Sequence, residues 1–270
     1  MLSDGISASM EGVVKVYRSA TGEVHALKGI DISFPSRGVT AVVGPSGSGK
    51  SSLLRILAGL DEPTAGSVHI GSVEMSALSA SARREARRRL VGYVFQLPSD
   101  NLISYLNAWE HMVLAAKVRG SGLGEASRLL ELLGIGDLSW ARPQQLSGGE
   151  QQRLAFAQAV IGAPALVIAD EPTAQLDGAS SKALLQAVRE LAHGGTSFVL
   201  STHDADVVAA ADRTYFLRHG ALESVTAERV AMSVIDGAGR IQLPPGALEL
   251  FPDGRAIVET VEGAVMIKPP

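Results

Sequence analysis

No cysteine occurs among the 270 residues, which excludes disulfides, thiolate zinc sites, cysteine nucleophiles and iron–sulfur ligation together and is ordinary for a cytosolic chain. Neither sign of charge dominates: 24 basic and 28 acidic residues leave a net charge of −4, so the molecule as a whole is not an electrostatic nucleic-acid binder. Any DNA role requires a local basic patch. A membrane-spanning run is also missing. The longest uncharged stretch, Leu154–Ala169, has 16 residues broken by Gln158, Gly162 and Pro164, short of the roughly 20 needed to cross a bilayer. The opening MLSDGISASMEGVVKVY lacks a basic start followed by an apolar block, so it does not read as a secretory signal. The protein is expected in the cytosol, with any membrane span supplied by another chain. Internal repeats and low-complexity tracts are absent. What remains is a globular composition, 46% hydrophobic and 19% charged with 29 glycines, in a chain long enough for one large domain or a domain plus an appendage.

Short β-branched or alternating runs at Val13–Tyr17 and Ile30–Phe34 read as strands of an opening β layer. Gly38–Val43 is a continuous apolar run that leads straight into GPSGSGKSS, and Leu53, Leu54, Ile56 and Leu57 then fall at helical spacing before Gly59. The spacing predicts strand, glycine-rich turn and helix. Residues 76–90 read as an arginine-rich helix, and 105–138 as two or three helices broken near 119–124 and 134–136. From Gln151 onward alternation returns: helix 149–161, buried strand Ala165–Ala169, helix 179–192, strand Ser197–Ser201, helix 204–211 and a hairpin over 214–223. Strands alternating with helices imply an α/β fold with a mostly parallel sheet covered on both faces. From about residue 224 the pattern shifts, and the alternating runs Ala256–Val261 and Ala264–Lys268 predict a separate, small β-rich appendage.

Gly44-Pro45-Ser46-Gly47-Ser48-Gly49-Lys50-Ser51, followed by Ser52, fits the phosphate-loop pattern G-x-x-x-x-G-K-[ST]. Its glycines let consecutive backbone N–H groups curl around a phosphate, and the helix that follows adds its positive end. Lys50 can reach the β- and γ-phosphates, and the Ser51 hydroxyl can ligate Mg²⁺. The apolar strand Ala165–Ala169 ends in Asp170 and Glu171. A strand-tip Asp beside the loop can hold Mg²⁺, and Glu171, pointing the other way, can polarise an attacking water.

Leu146-Ser147-Gly148-Gly149-Glu150-Gln151-Gln152-Arg153 resembles the signature motif of the ATP-binding-cassette (ABC) ATPases. Over residues 10–222 the order of motifs resembles that family as well: phosphate loop, Gln after a strand, signature, Asp-Glu strand, His after another strand. The resemblance implies a P-loop NTPase with an N-terminal antiparallel β layer and a helical subdomain at about 97–160. It implies that Ser147, Gly148 and Gly149 grip the γ-phosphate held by another subunit. It also implies that Gln96 contacts Mg²⁺ or water while its flanks meet a transmembrane partner, that His203 contacts the γ-phosphate, and that Asp177 belongs to the D-loop. Gln175 departs from the small or Asn residue more usual in that loop, and Tyr17 lies where the family places an aromatic ring against adenine. Val-Phe-Gln followed by Asn101-Leu102, with Asp-Glu-Pro-Thr-Ala, is similar to the lipoprotein-release, macrolide-exporter and cell-division branch.

The expectation is an ATP hydrolase using ATP and Mg²⁺. It dimerises on ATP, drives a separate transmembrane permease and sits peripherally on the inner face of the cell membrane, with no nucleic-acid partner. Glu171, His203, Gln96 and Lys50 would carry catalysis, and Ser51, Gln96 and Asp170 the metal. The arginines at 83, 84, 87, 88 and 89 read as a solvated helix face, with a phosphate or lipid-headgroup contact as the alternative. Soluble ABC ATPases of repair or translation are the first competitor, but a single cassette lacking a long coiled coil does not match them. The second competitor makes the tail a DNA-binding regulator. Val234–Pro244 (VIDGAGRIQLP), with Leu248, Gly254 and Ile267-Lys268-Pro269, resembles an AbrB-type swapped-hairpin module, a family that frequently binds DNA. Its three basic residues (Arg240, Arg255, Lys268) face five acidic ones (Asp236, Glu249, Asp253, Glu259, Glu262), the wrong balance for phosphate contacts.

Overall fold

The computed structural model describes residues 6–19, 22–227, 230–233, 251, 256–261 and 264–268. Among the described residues, a four-stranded and a seven-stranded sheet with seven α-helices enclose two cores. The antiparallel layer is formed by β1 (Ile6–Ser19), β2 (Gly22–Pro35), β4 (Ala65–Ile70) and the short β5 (Val73–Glu74), in the order β2-β1-β4-β5. Both long strands exceed the runs legible in the sequence, because register shifts between Met10 and Val14, with Gly12 at φ 58°, break the alternation without ending the pairing.

The main sheet has seven strands in the order β11-β10-β9-β3-β8-β7-β6. Its parallel part consists of β3 (Gly38–Val43), β6 (Val91–Val94), β7 (Leu166–Asp170), β8 (Ser197–Ser201) and β9 (Arg213–Arg218). The edge β10 (Ala221–Ala227) and β11 (Val230–Ser233) adds on antiparallel. β10 runs straight through the 222–224 division read from the sequence, so the sheet continues to Ser233 before the chain leaves it. A separate antiparallel pair, β12 (Ile257–Val261) with β13 (Ala264–Lys268), forms where the two alternating runs predicted it. The stretch carrying most of the swapped-hairpin resemblance, 234–250, lies outside the described residues.

Residues of the central strands are buried on both faces, which is why they read as continuous apolar runs rather than alternation. Along β7, Leu166 and Ile168 join the core beneath the antiparallel layer, together with Val199, Phe34, Ile30, Leu53 and Ile56. Val167 and Ala169 join the opposite core, together with Phe198, Phe156, Leu184 and Val188. α1 (Lys50–Leu57) lies in the first core, and α5 (Gly148–Val160) and α6 (Gly178–His193) in the second. α3 (Ala108–Arg119) and α4 (Ala126–Leu132) pack beside α5 as the helical block. α2 (Ala80–Leu90) buries no residue fully, but its arginines are not a uniformly solvated face: Arg88 and Arg89 pair with Glu85 at the surface, whereas Arg83, paired with Glu62, and Arg87, donating to Gly59 O at 3.0 Å, are half-buried, and Arg88 also donates to Val118 O at 3.2 Å. The short α7 (Ala205–Ala210) completes the helices.

The signature helix is locked against the sheet at one point. Gly92 on β6 faces the last turn of α5 so closely that a Cβ there would lie 2.0 Å from Ala159 O. Arg119 fastens the same junction, donating to Val91 O at 3.2 Å and to Ala159 O at 3.1 Å.

Candidate functional site

Four neighbouring parallel strands, β3, β8, β7 and β6, end at one edge of the sheet, and each delivers a predicted group there. β3 opens into the phosphate loop, β8 leads through Thr202 to His203, β7 ends in Asp170 and Glu171, and β6 leads through Phe95 to Gln96. Open α/β sheets place ligands at the carboxyl ends of such strands.

The loop is shaped by glycines in positive-φ conformations, Gly44 at 154°, Gly47 at 76° and Gly49 at 105°. Close approach adds a second reason at two of them: a Cβ on Gly44 would meet Leu217 O at 2.1 Å, and one on Gly49 would meet Ala26 O at 2.5 Å. Pro45, Ser46 and Gly47 form the exposed crest, while Ser48 is buried and anchors the loop through its carbonyl, which accepts Gly220 N–H at 3.0 Å. The Ser48 hydroxyl has no partner among the described residues. Lys50 begins α1 and folds its ammonium back over the loop, donating to Gly44 O at 2.7 Å and Pro45 O at 3.2 Å. The first N–H groups of α1 have no intrahelical acceptor, and Ser51 is exposed beside them. The Ser52 and Tyr17 hydroxyls are hydrogen-bonded at 3.3 Å, which ties the loop helix to β1. Tyr17 also donates to Asp61 Oδ2 at 3.0 Å, and the Lys15 ammonium stands 4.9 Å from its ring centroid.

Asp170 is buried at the tip of β7, on the strand face that carries Leu166 and Ile168 toward α1. Glu171 then leaves the strand with φ at 50°, a left-handed conformation for a non-glycine residue. Glu171 Oε2 lies 2.8 Å from His203 Nδ1, without the angle of a hydrogen bond; the His203 side chain is 76% exposed, so it can turn toward a ligand. Between the two strand tips sits Ser201, fully buried, whose hydroxyl donates to Asp170 Oδ1 in a short hydrogen bond and accepts Glu171 N–H at 3.0 Å. Sequence reasoning passed over Ser201. Its only signal was a hydroxyl at the end of an apolar strand, and its partners lie some thirty residues away.

Ser147, Gly148 and Gly149 are not brought to the phosphate loop of their own chain by any contact among the described residues. They open α5, where Ser147 caps the helix by accepting Glu150 N–H at 3.3 Å while Glu150 accepts Ser147 N–H at 2.7 Å. That backbone bond, with the Ser147 hydroxyl, holds the Glu150 carboxyl below its ordinary range. The helix opening borders the loop after β7: a Cβ on Gly148 would lie 3.6 Å from Gln175 Oε1, and one on Gly149 would lie 3.2 Å from Leu176 Cδ2. Asp177 caps α6, accepting Ser180 N–H at 2.7 Å, and this bond lowers its carboxyl's pKa. Gln96 is exposed.

The residues fit a phosphorylated nucleotide with Mg²⁺. An exposed crest of backbone, a helix start and a lysine suit phosphate oxygens. The Asp170 carboxylate at the strand tip and the exposed Ser51 hydroxyl are hard oxygen donors of the kind that hold Mg²⁺ together with water and substrate phosphates.

Comparison with known proteins agrees with this geometry. A family model described as "ABC transporter" matches residues 27–174. The lipoprotein-releasing system ATP-binding protein LolD of Ruegeria pomeroyi is 42% identical over 221 residues, covering 80% of this chain and 96% of that protein. The LolD protein of Shewanella denitrificans is 37% identical over 226 residues, covering 82% of this chain and 96% of its own length. Among solved structures, a dimeric ATP-binding cassette in a post-hydrolysis state bound to ADP and Pi superposes with a TM-score of 0.76 at 32% identity, covering 83% of this chain and 99% of that one. The strand-tip constellation, the signature helix and these similarities together place the chain in the ABC transporter family, as one of its ATP-binding cassettes.

Proposed function

We propose that this cassette hydrolyses Mg²⁺-ATP at two composite sites between head-to-tail copies and uses the cycle to drive a separate permease. The observation that carries this reading is the delivery of the phosphate loop, His203, Asp170 with Glu171, and Gln96 by four adjacent strands to one edge. No helix among the described residues is long and apolar enough to cross a membrane, so the reading assigns the span to the partner and places this chain peripherally on the inner face of the membrane. The relatives named for lipoprotein release make a permease of that kind the first partner to test.

In this reading the loop N–H groups of Gly44–Ser52 and the Lys50 ammonium hold the β- and γ-phosphates, and Lys50 exchanges its carbonyl partners for phosphate oxygens. Tyr17 lies against adenine. Ser51, Asp170 and Gln96 hold Mg²⁺, which when bound neutralises charge developing on the transferred phosphoryl group. Glu171, turned away from the metal side, takes the proton of the attacking water, and His203 orients that carboxylate and contacts the γ-phosphate. Ser147, Gly148 and Gly149 of a second copy close the site, with their helix start facing the phosphate. Asp177, next to the signature through Gln175 and Leu176, passes the state of one site to the other. Residues 10–222, with the helical subdomain at about 97–160, carry this chemistry, and the tail from 224 contributes first a sheet edge and then its own hairpin.

Mixing Lys50→Ala and Ser147→Arg subunits tests the composite arrangement. Each variant alone is expected to be inactive. A mixture places both lesions in one site of a dimer and leaves the other site intact, so part of the ATPase activity returns. Mixtures that exchange subunits yet never exceed either parent contradict the proposal.

A further inference from the structure

We propose that Ser201 is a positioning residue for hydrolysis: its hydroxyl ties the Asp170 carboxylate to the Glu171 backbone, holding the metal ligand and the general base in one fixed relation. This rests on the roles given above to those two residues.

The geometry fixes the direction of both bonds. Ser201 has a single hydroxyl hydrogen, and it is donated to Asp170 Oδ1. The lone pairs of the same oxygen are then left for Glu171 N–H, which donates to them at 3.0 Å and to the Ser201 carbonyl at 3.2 Å. Asp170 and Ser201 stand opposite each other in the parallel β7–β8 register, and both are buried, so water does not compete for the bridge. The neighbouring Thr202 hydroxyl is engaged elsewhere, its Oγ1 accepting Asp204 N–H at 2.9 Å.

The bridge matters because of what it holds. Glu171 sits at φ 50°, a conformation that a non-glycine residue keeps only when its surroundings enforce it. Its N–H is the backbone group next to that torsion, and both of its acceptors belong to Ser201. Loss of the hydroxyl removes the nearer acceptor and, in the same step, a donor to a buried carboxylate. The Glu171 backbone and the Asp170 carboxylate are therefore coupled through one oxygen atom.

Threonine and valine have the same shape and differ only in the hydroxyl, so Ser201→Thr and Ser201→Val form the decisive pair. Ser201→Thr is expected to keep kcat within about threefold of wild type. Ser201→Val is expected to lower kcat about tenfold with the KM for ATP nearly unchanged, the pattern of an interaction used in the transition state rather than in binding. A second readout does not depend on turnover. Calorimetric affinity for a non-hydrolysable ATP analogue, with and without Mg²⁺, should show the metal's gain shrinking several-fold in Ser201→Val but not in Ser201→Thr, while metal-free affinity stays constant. Ser201→Ala, which only removes an atom, gives the Val result if the branched variants fail to fold. Equal behaviour of Thr and Val in both readouts, whether both silent or both impaired, overturns the proposal. A wild-type protein that binds the analogue with Mg²⁺ yet never hydrolyses ATP faults the functional reading alone, and the metal-gain comparison then still decides Ser201.

Discussion

Replacing Gly92 with alanine adds one methyl group where the sheet and the signature helix meet. The new Cβ would lie 2.0 Å from Ala159 O and 2.8 Å from Ala159 C, so β6 or α5 must give way by more than an ångström. The neighbours cannot simply relax: Leu154, Phe156 and Val160 of α5 are buried, and Arg119 clamps Val91 O and Ala159 O together. Overpacking of this kind costs about 1–3 kcal/mol. Loss of an Arg119 hydrogen bond to a carbonyl adds about 1.5 kcal/mol. Together these come to about 2.5–4.5 kcal/mol, and at roughly 2–4 °C per kcal/mol for a chain of this size Gly92→Ala should melt about 5–18 °C below wild type. Thermal unfolding of the nucleotide-free protein by circular dichroism measures this. Gly47→Ala is the control: it has φ 76° but open space around it, so its cost is the backbone conformation alone, about 1 kcal/mol. A Gly92→Ala protein that melts within about 2 °C of wild type refutes the close-packing argument.

Two further outcomes test the site's surroundings. Glu150→Ala should cost about 1 kcal/mol at pH 7 through loss of the reciprocal cap on α5. The folded-state pKa of Glu150 is lowered, so the contribution is fully present above the ordinary value of 4.5 and disappears as pH falls through the folded value; a difference from wild type that does not shrink as pH is taken progressively below 4.5 contradicts the assignment. Tyr17→Ala should raise the KM for ATP about tenfold through loss of ring stacking, whereas Tyr17→Phe should change it no more than twofold. Equal effects would assign the contribution to the hydroxyl's bonds with Asp61 and Ser52 instead.

The sequence was most readable where chemistry and local geometry coincide. Lys50 and Ser51 follow a buried strand and open an amphipathic helix, and Asp170 closes an apolar run, so motif and element reinforce each other. Strand β4 was not legible: in AGSVHI only Val68 and Ile70 are buried, and pairing with β1 decides its conformation. Likewise, β10 continues past the compositional shift near 224 because Val225, Thr226 and Ala227 find partners on β9. The positive φ of Glu171 and the Ser201 bridge depend on contacts across about thirty residues, which no window along the chain contains. The signature motif was recognised as a pattern, but its seat beside Gln175 and Leu176 required the fold.

The central claim is that Glu171 provides the base at a nucleotide site built on adjacent strand tips. The most direct measurement is steady-state hydrolysis of Mg²⁺-ATP by purified Glu171→Gln protein, with contaminating ATPase excluded and nucleotide binding measured alongside. Loss of a positioned general base predicts turnover reduced by about 10²-fold or more, with Mg²⁺-ATP binding retained and the protein accumulating as an ATP-bound dimer. Near-normal hydrolysis by this variant contradicts the account.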